Sequence, residues 1–303
     1  MTLDIETITN SSLGISLLSS IAGMIPPRVG HRIADFAAER IAAQRNSKLA
    51  RAVRGNQWVV LGEEGTSEVL DRAVRDTLRH SARSVFDLYH YLRDPEATGR
   101  MIALDAAVEQ LAKRSEFENR GLVAVGVHLS NFDLIIRWLC QQGFRPLVLT
   151  ISDARGGRRT EYEMREQLGM KLVPATVAGF RRALRHLQRG GAVLTAIDRP
   201  ISRPRLLPRF FGRPAALPVH HIFLATRARV PVAVVAAVLE TDGKYHVRTS
   251  DLIEMEGDHG QEIETLRNAE TVLRIAEGFI RQAPQQWSVP LPVWPSTMGL
   301  VPE

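Results

Sequence analysis

A chain of 303 residues is long enough to bury a substantial core, and its 45% apolar and 24% charged content are those of an ordinary soluble globular protein. Cys140 is the only cysteine, which excludes internal disulfides, thiolate metal sites and CxxC redox chemistry and is best suited to a reducing compartment. A net charge of +6 and a pI near 10.0 point to an anionic partner: nucleic acid, an anionic membrane surface or a phosphorylated substrate.

In chain order, residues 7–27 carry no charge, but the most apolar part, Leu13 to Ile25, is too short to span a bilayer. Asp4 and Glu6 stand where a secretory signal would be basic. Leu13, Leu17, Ile21 and Met24 share one helical stripe, which predicts an amphipathic helix that either packs on the domain or lies in a membrane interface. Pro26-Pro27 then opens a second amphipathic helix over Val29–Ala43, with Val29, Ile33, Phe36 and Ala37 in period. Helical period continues over Lys48–Leu61, Ser67–Leu92 and Met101–Ala112. Residues 1–115 therefore read as a nearly all-helical region, packed on the core or on a membrane.

From Gly121 the pattern alternates. Strands are predicted over Leu122–Val127, Pro146–Ile151, Lys171–Pro174, Ala192–Ile197, Pro231–Leu239 and Lys244–Thr249. Helices are predicted over Asn131–Gln141, Thr160–Leu168, Ala178–Gln188, Val219–Ala228 and Gln261–Ala283, with Gly143, Gly169 and Gly190-Gly191 as stops. This predicts an α/β fold, a mixed and largely parallel central sheet with helices on both faces, over 116–303 and continuous with the helical region.

The chemistry concentrates where the first of these strands turns into a helix, at His128, Ser130, Asn131 and Asp133. On one helix His128 and Asp133 would stand about 140° apart. On one strand they would lie roughly 16 Å apart on opposite faces. A strand-to-helix corner lets them meet, with Ser130 or Asn131 as N-cap and Asp133 in the first turn. Asp133 can then hold one ring nitrogen and sharpen the other as a base, although spacing alone also admits a structural histidine with a capping aspartate.

A second apolar strand, Ala192–Ile197, delivers Asp198-Arg199 to a sheet edge, the same edge as His128 if the strands are parallel. Arg199, Arg203, Arg205, Arg209 and Arg213 then crowd one loop, read either as an anion-binding surface or as a solvated basic loop. Arg158, Arg159 and Arg165 are weaker anion candidates. His220-His221 lack a third metal ligand at suitable spacing, so packing is the expectation and no metal is assigned. No G-x-S-x-G elbow, Walker loop, G-x-G-x-x-G or H-E-x-x-H occurs. Only Phe210 and Phe211 interleave with the arginines, which disfavours nucleic acid.

His128-Leu-Ser-Asn-Phe-Asp133 resembles the H-x4-D/E motif of the glycerolipid acyltransferase superfamily. The chain resembles more narrowly the lipid A biosynthesis (lauroyl/myristoyl) acyltransferases, a family that also holds the phosphatidylinositol mannoside acyltransferases. The blocks carrying the likeness are Arg54 and Asn56, the motif, Arg165 to Gly169, Asp198, Phe210 to Pro218, Val230 to Val235 and Pro284 to Trp287. The resemblance implies a peripheral enzyme on the cytoplasmic face of the inner membrane. It would move a fatty acyl chain from acyl carrier protein or coenzyme A to a hydroxyl of a glycolipid, and would need no cofactor. It makes His128 the general base and Asp133 its orienter, with Ser130, Asn131, Arg165, Asp198 and Arg199 around the substrate and Phe211, Gly212 and Arg213 shaping the acceptor or acyl groove. The acceptor stays open between a lipid A precursor, a mannosylated phosphoinositide and another glycolipid. A silent lipid- or carrier-binding relative and a thioesterase are the rival expectations.

Overall fold

The computed structural model describes residues 20–91, 94–117, 120–150, 166, 170–257 and 261–302. Its centre is a seven-stranded sheet built from β1 (Ile102–Leu104), β2 (Leu122–Gly126), β3 (Leu147–Thr150), β4 (Lys171–Pro174), β5 (Ala192–Ala196), β8 (Val232–Leu239) and β9 (Tyr245–Thr249). The order across the sheet is β1-β9-β8-β2-β5-β3-β4, and every pair is parallel except β8 with β9. Parallel strands covered on both faces have no solvated side, which is why β2 (LVAVG) and β8 (VAVVAAVL) are apolar without alternation.

The helices on the sheet are α5 (Ala106–Phe117), α6 (Phe132–Gln141), α7 (Val177–Gln188), α8 (His220–Ala228) and α9 (Glu262–Gln282). The sequence places these elements to within a residue or two, apart from α5; the helix expected over Thr160–Leu168 and the stop at Gly169 lie outside the described residues. The helix expected over Met101–Ala112 divides instead into β1 and the start of α5. Three residues of strand are too few to display a period, and β1 is recognisable only by its parallel pairing with β9.

Before the sheet come α1 (Pro27–Ala43), α2 (Lys48–Val60), α3 (Ser67–Tyr91) and the short α4 (Pro95–Arg100). The Ser47 hydroxyl caps α2 by accepting the Ala50 N–H, as an N-cap serine should. Buried Asn56 stitches α2 to the end of the chain, donating to the carbonyls of Val289 and Leu291 and accepting the Val293 N–H. One hydrophobic cluster runs from Trp58 and Leu70 through Val125, Val193 and Val234 to Trp287 and Trp294.

The arginine-rich loop closes on a small hairpin, β6 (Arg209–Phe210) and β7 (Arg213–Pro214). Both turn residues, Phe211 and Gly212, have positive φ (50° and 75°), the backbone that a two-residue hairpin turn demands and that only Gly adopts without cost.

Candidate active site

The site follows from register. β2 and β5 are parallel neighbours with Gly126 opposite Ala196, so two residues further on His128 faces Asp198 across the same sheet edge. The Asp198 carboxylate is fully buried and takes three donors: the His128 N–H at 2.6 Å, the His128 ring Nδ1 at 2.6 Å and the Trp287 indole N–H at 2.8 Å. Burial pushes this carboxyl up, but the His128 charge and the hydrogen bonds from the His128 ring, Trp287 and the His128 N–H outweigh it and hold it below the usual carboxylate range. An ionised acceptor on Nδ1 places the ring proton there and leaves Nε2 as the basic nitrogen. Among the described residues nothing is hydrogen-bonded to Nε2.

The backbone of the motif is pinned from the far end of the chain. Leu129 and Trp287 form an antiparallel bridge, the Ser130 N–H donates to the Gln286 carbonyl (2.9 Å), and the Ser288 N–H donates to the His128 carbonyl (3.1 Å). Ser130 sits at φ 53°, the sharp corner between strand and helix. Its hydroxyl meets Nε2 of His80 at 3.2 Å, and the same nitrogen lies 3.3 Å from the Ser84 hydroxyl. Burial lowers His80 to about 4, so this ring is neutral at physiological pH. Asn131 is the N-cap of α6; its amide nitrogen donates to the Ser84 carbonyl at 2.9 Å and approaches the Tyr245 hydroxyl at 3.5 Å.

Ser130, Asn131 and Asp133 line a groove of about 290 Å³ together with Arg199 and Ser288. The opposite wall is apolar: Leu49 and Val53 from α2, and Leu78, Val85 and Leu88 from α3. Phe132, also in the groove wall, sets its ring edge-on to His128 with centroids 4.8 Å apart. A polar floor facing an apolar wall suits an amphiphile.

The expected site residues thus divide. His128, Ser130, Asn131, Asp198 and Arg199 gather at one edge. The carboxylate on Nδ1 is Asp198, whereas the H-x4-D spacing alone suggested Asp133; a parallel pair 70 residues apart in sequence supplies a closer carboxylate than the next helical turn. Asp133 lies half-buried in the first turn of α6 and lines the groove. Arg199 reaches the groove with its Nε buried and without a hydrogen-bond partner among the described residues.

Phe211, Gly212 and Arg213 do not line this groove. Phe211 packs against Trp287 and Trp294 and beneath the Arg281 guanidinium, and Arg213 forms an ion pair with Glu63 over the Trp58 ring. Arg158, Arg159 and Arg165 lie outside the described residues. His220 bonds the Thr195 hydroxyl at 2.8 Å and His221 is fully buried; no cluster of metal-ligating side chains occurs among the described residues. Sequence reasoning passed over Trp287, Gln286 and His80 as parts of the site. Trp287 carried a signal as the end of the Pro284 to Trp287 block, to which no site role was attached, and His80 carried none.

No curated protein sequence matches the chain. The family model of the bacterial lipid A biosynthesis acyltransferases matches residues 2–294, nearly the whole length. With a histidine–aspartate pair at the strand edge and that match along the chain, the protein belongs to the bacterial lipid A biosynthesis acyltransferase family and is an acyltransferase.

Proposed function

We propose that the protein moves a fatty acyl group from an acyl carrier protein or coenzyme A thioester to a hydroxyl of a glycolipid, with His128 as general base. The observation that carries this reading is the His128–Asp198 pair at 2.6 Å beside a groove with one apolar wall. Nε2 takes the proton of the acceptor hydroxyl as its oxygen attacks the thioester carbonyl carbon. The tetrahedral intermediate collapses, the carbon–sulfur bond breaks, and the imidazolium returns its proton to the leaving thiolate. Products are an ester and a thiol, and no acyl-enzyme is needed. Asp198 acts as a positioning residue that holds the tautomer and stabilises the imidazolium, the part a buried carboxylate plays behind a catalytic histidine. Asp133 and Arg199 bring opposite charges to the groove floor, where Asp133 favours the imidazolium and Arg199 receives an anionic group of the substrate. The acyl chain lies along the Leu78, Val85 and Leu88 wall.

A thioester made in the cytoplasm and a lipid acceptor meet at the cytoplasmic face of the inner membrane, and we place the protein there as a peripheral enzyme. The test is mass spectrometry of lipids from a host expressing wild type or His128→Ala. An acylated glycolipid in wild type only is the expected result and names the acceptor. Undiminished product from folded His128→Ala would overturn the reading, and free thiol without an acylated lipid would make the protein a thioesterase.

A further inference from the structure

Helix α1 turns its small side inward. Gly30, Ala34 and Ala38 are buried against α3, and the Phe86 ring occupies the space where a side chain at residue 30 would begin. The bulky residues face out instead: Val29 is 46% exposed, Ile33 56% and Phe36 63%. At positions i, i+4 and i+7 they form one stripe along the helix. Met24, just before the helix, is 85% exposed. Apolar residues exposed as one contiguous stripe, unlike scattered ones, mark a contact surface.

Charge identifies what it contacts. The two acids of α1 are spent inward: Asp35 binds Arg83 of α3 at 2.6 Å, and Glu39 pairs with Arg79 of the same helix. The arginines are not. Arg28 and Arg32 are exposed beside the stripe and make no ion pair among the described residues, and Arg40 lies over the Phe36 ring at 5.1 Å. Folding therefore leaves α1 with an apolar stripe bordered by uncompensated cations, the surface that an anionic bilayer receives. Location agrees: exposed Val85, in the groove wall, is the chain neighbour of Phe86, on which α1 rests. Among the described residues no helix is long and apolar enough to cross a membrane.

We infer that the outer face of α1, centred on Val29, Ile33 and Phe36 and flanked by Arg28, Arg32 and Arg40, docks the protein onto the surface of an anionic phospholipid bilayer, beside the mouth of the groove. This rests on the proposed function only in expecting a lipid acceptor, and its readout contains no turnover. In the arginine-rich loop, by contrast, Arg205 and Arg213 are paired with Glu262 and Glu63.

The experiment is co-sedimentation of the full chain with phosphatidylcholine vesicles, with and without phosphatidylglycerol. Wild type binds the anionic vesicles, and added salt weakens the binding. Ile33→Glu/Phe36→Glu and the uncharged Ile33→Ser/Phe36→Ser each lower affinity at least about tenfold. Arg28→Glu/Arg32→Glu removes the preference for phosphatidylglycerol. His128→Ala binds vesicles as wild type does. Unchanged vesicle binding in the apolar-face variants overturns the inference. A lower melting temperature with unchanged binding would assign the stripe to another part of the same chain, a changed oligomeric state with unchanged binding would assign it to a second copy, and either would overturn it.

Discussion

Two regions of this molecule look alike in sequence and are opposite in structure. The strand-edge pair His128 and Asp198 and the loop from Arg199 to Arg213 are both polar groups delivered by an apolar strand. At the edge, backbone register leaves no freedom: Gly126 opposite Ala196 commits His128 to Asp198, and the buried carboxylate is shared among three donors. In the loop three of the five arginines find separate neighbours. Arg205 takes Glu262, Arg213 takes Glu63, and Arg209 donates to the Gly212 carbonyl. A run of cations in sequence therefore overstates the charge that the fold presents, because exposed acids on nearby elements neutralise it. Of the five, Arg199, next to Asp198 and lining the groove, keeps its Nε buried without a hydrogen-bond partner among the described residues.

Changes at the strand edge should break activity first. Asp198→Asn keeps the shape but loses the anionic acceptor behind Nδ1, and is expected to lower kcat roughly 10³–10⁴-fold with little change in KM. Steady-state kinetics check this; a wild-type kcat would return the orienting part to Asp133, whose own Asn variant is expected to cost nearer 10²-fold.

The next effect is on stability and comes from the neutral histidines beneath the groove and in α8. Burial lowers His80 to about 4 and His220 to about 4, and burial together with His220 lowers His221 to about 3. In each case the unfolded ring binds its proton near 6.5 and the folded ring does not, so the unfolded state gains protons as pH falls from 6.5 towards 4. Stability must therefore drop across that window, by up to about 1.4 kcal/mol per pH unit for each ring. Asp198 acts with the same sign in a more acidic window: its lowered carboxyl stabilises the fold at neutral pH, and that stability is lost only as pH falls below the usual carboxylate value of 3.8. Denaturant melts at several pH values test this, and His80→Gln should flatten the acid limb relative to wild type.

Smaller effects separate the arginines. Arg199→Ala is expected to reduce kcat/KM about 10–100-fold, mainly through KM, as loss of a charged substrate contact does. Arg213→Ala, by contrast, should leave kcat/KM close to wild type and show only a modest loss of thermal stability. Arg205→Ala, in an exposed pair, should change neither measurably. A large KM effect from Arg213→Ala would erase the distinction between the groove and the loop.

Much of this was legible in the sequence. Leu122–Gly126 and Val232–Leu239 are runs that only a strand buried on both faces requires, and Asn131 was among the two candidates for the cap because its side-chain oxygen accepts a backbone N–H. That Asp198 shares an edge with His128 also followed, given parallel strands. The rest was not legible, for identifiable reasons. β1 is too short for a period, and His80 lies fifty residues from Ser130 on a helix whose pattern describes only its own faces. The stripe Val29, Ile33 and Phe36 has the spacing of a core face, and nothing local says that Gly30, Ala34 and Ala38 will be the side that packs. A small-residue face allows α1 to approach α3 closely, and this preference belongs to the pair of helices.

By itself, then, the sequence determined the elements, the strand-to-helix corner and the residue types that meet there, because these depend on local period, capping and backbone freedom. Tertiary structure alone decided which carboxylate holds His128, which arginine stays free for the groove and which face of α1 meets the outside. Each of those choices depends on distances between segments far apart in the chain, and those are set by strand register and helix packing.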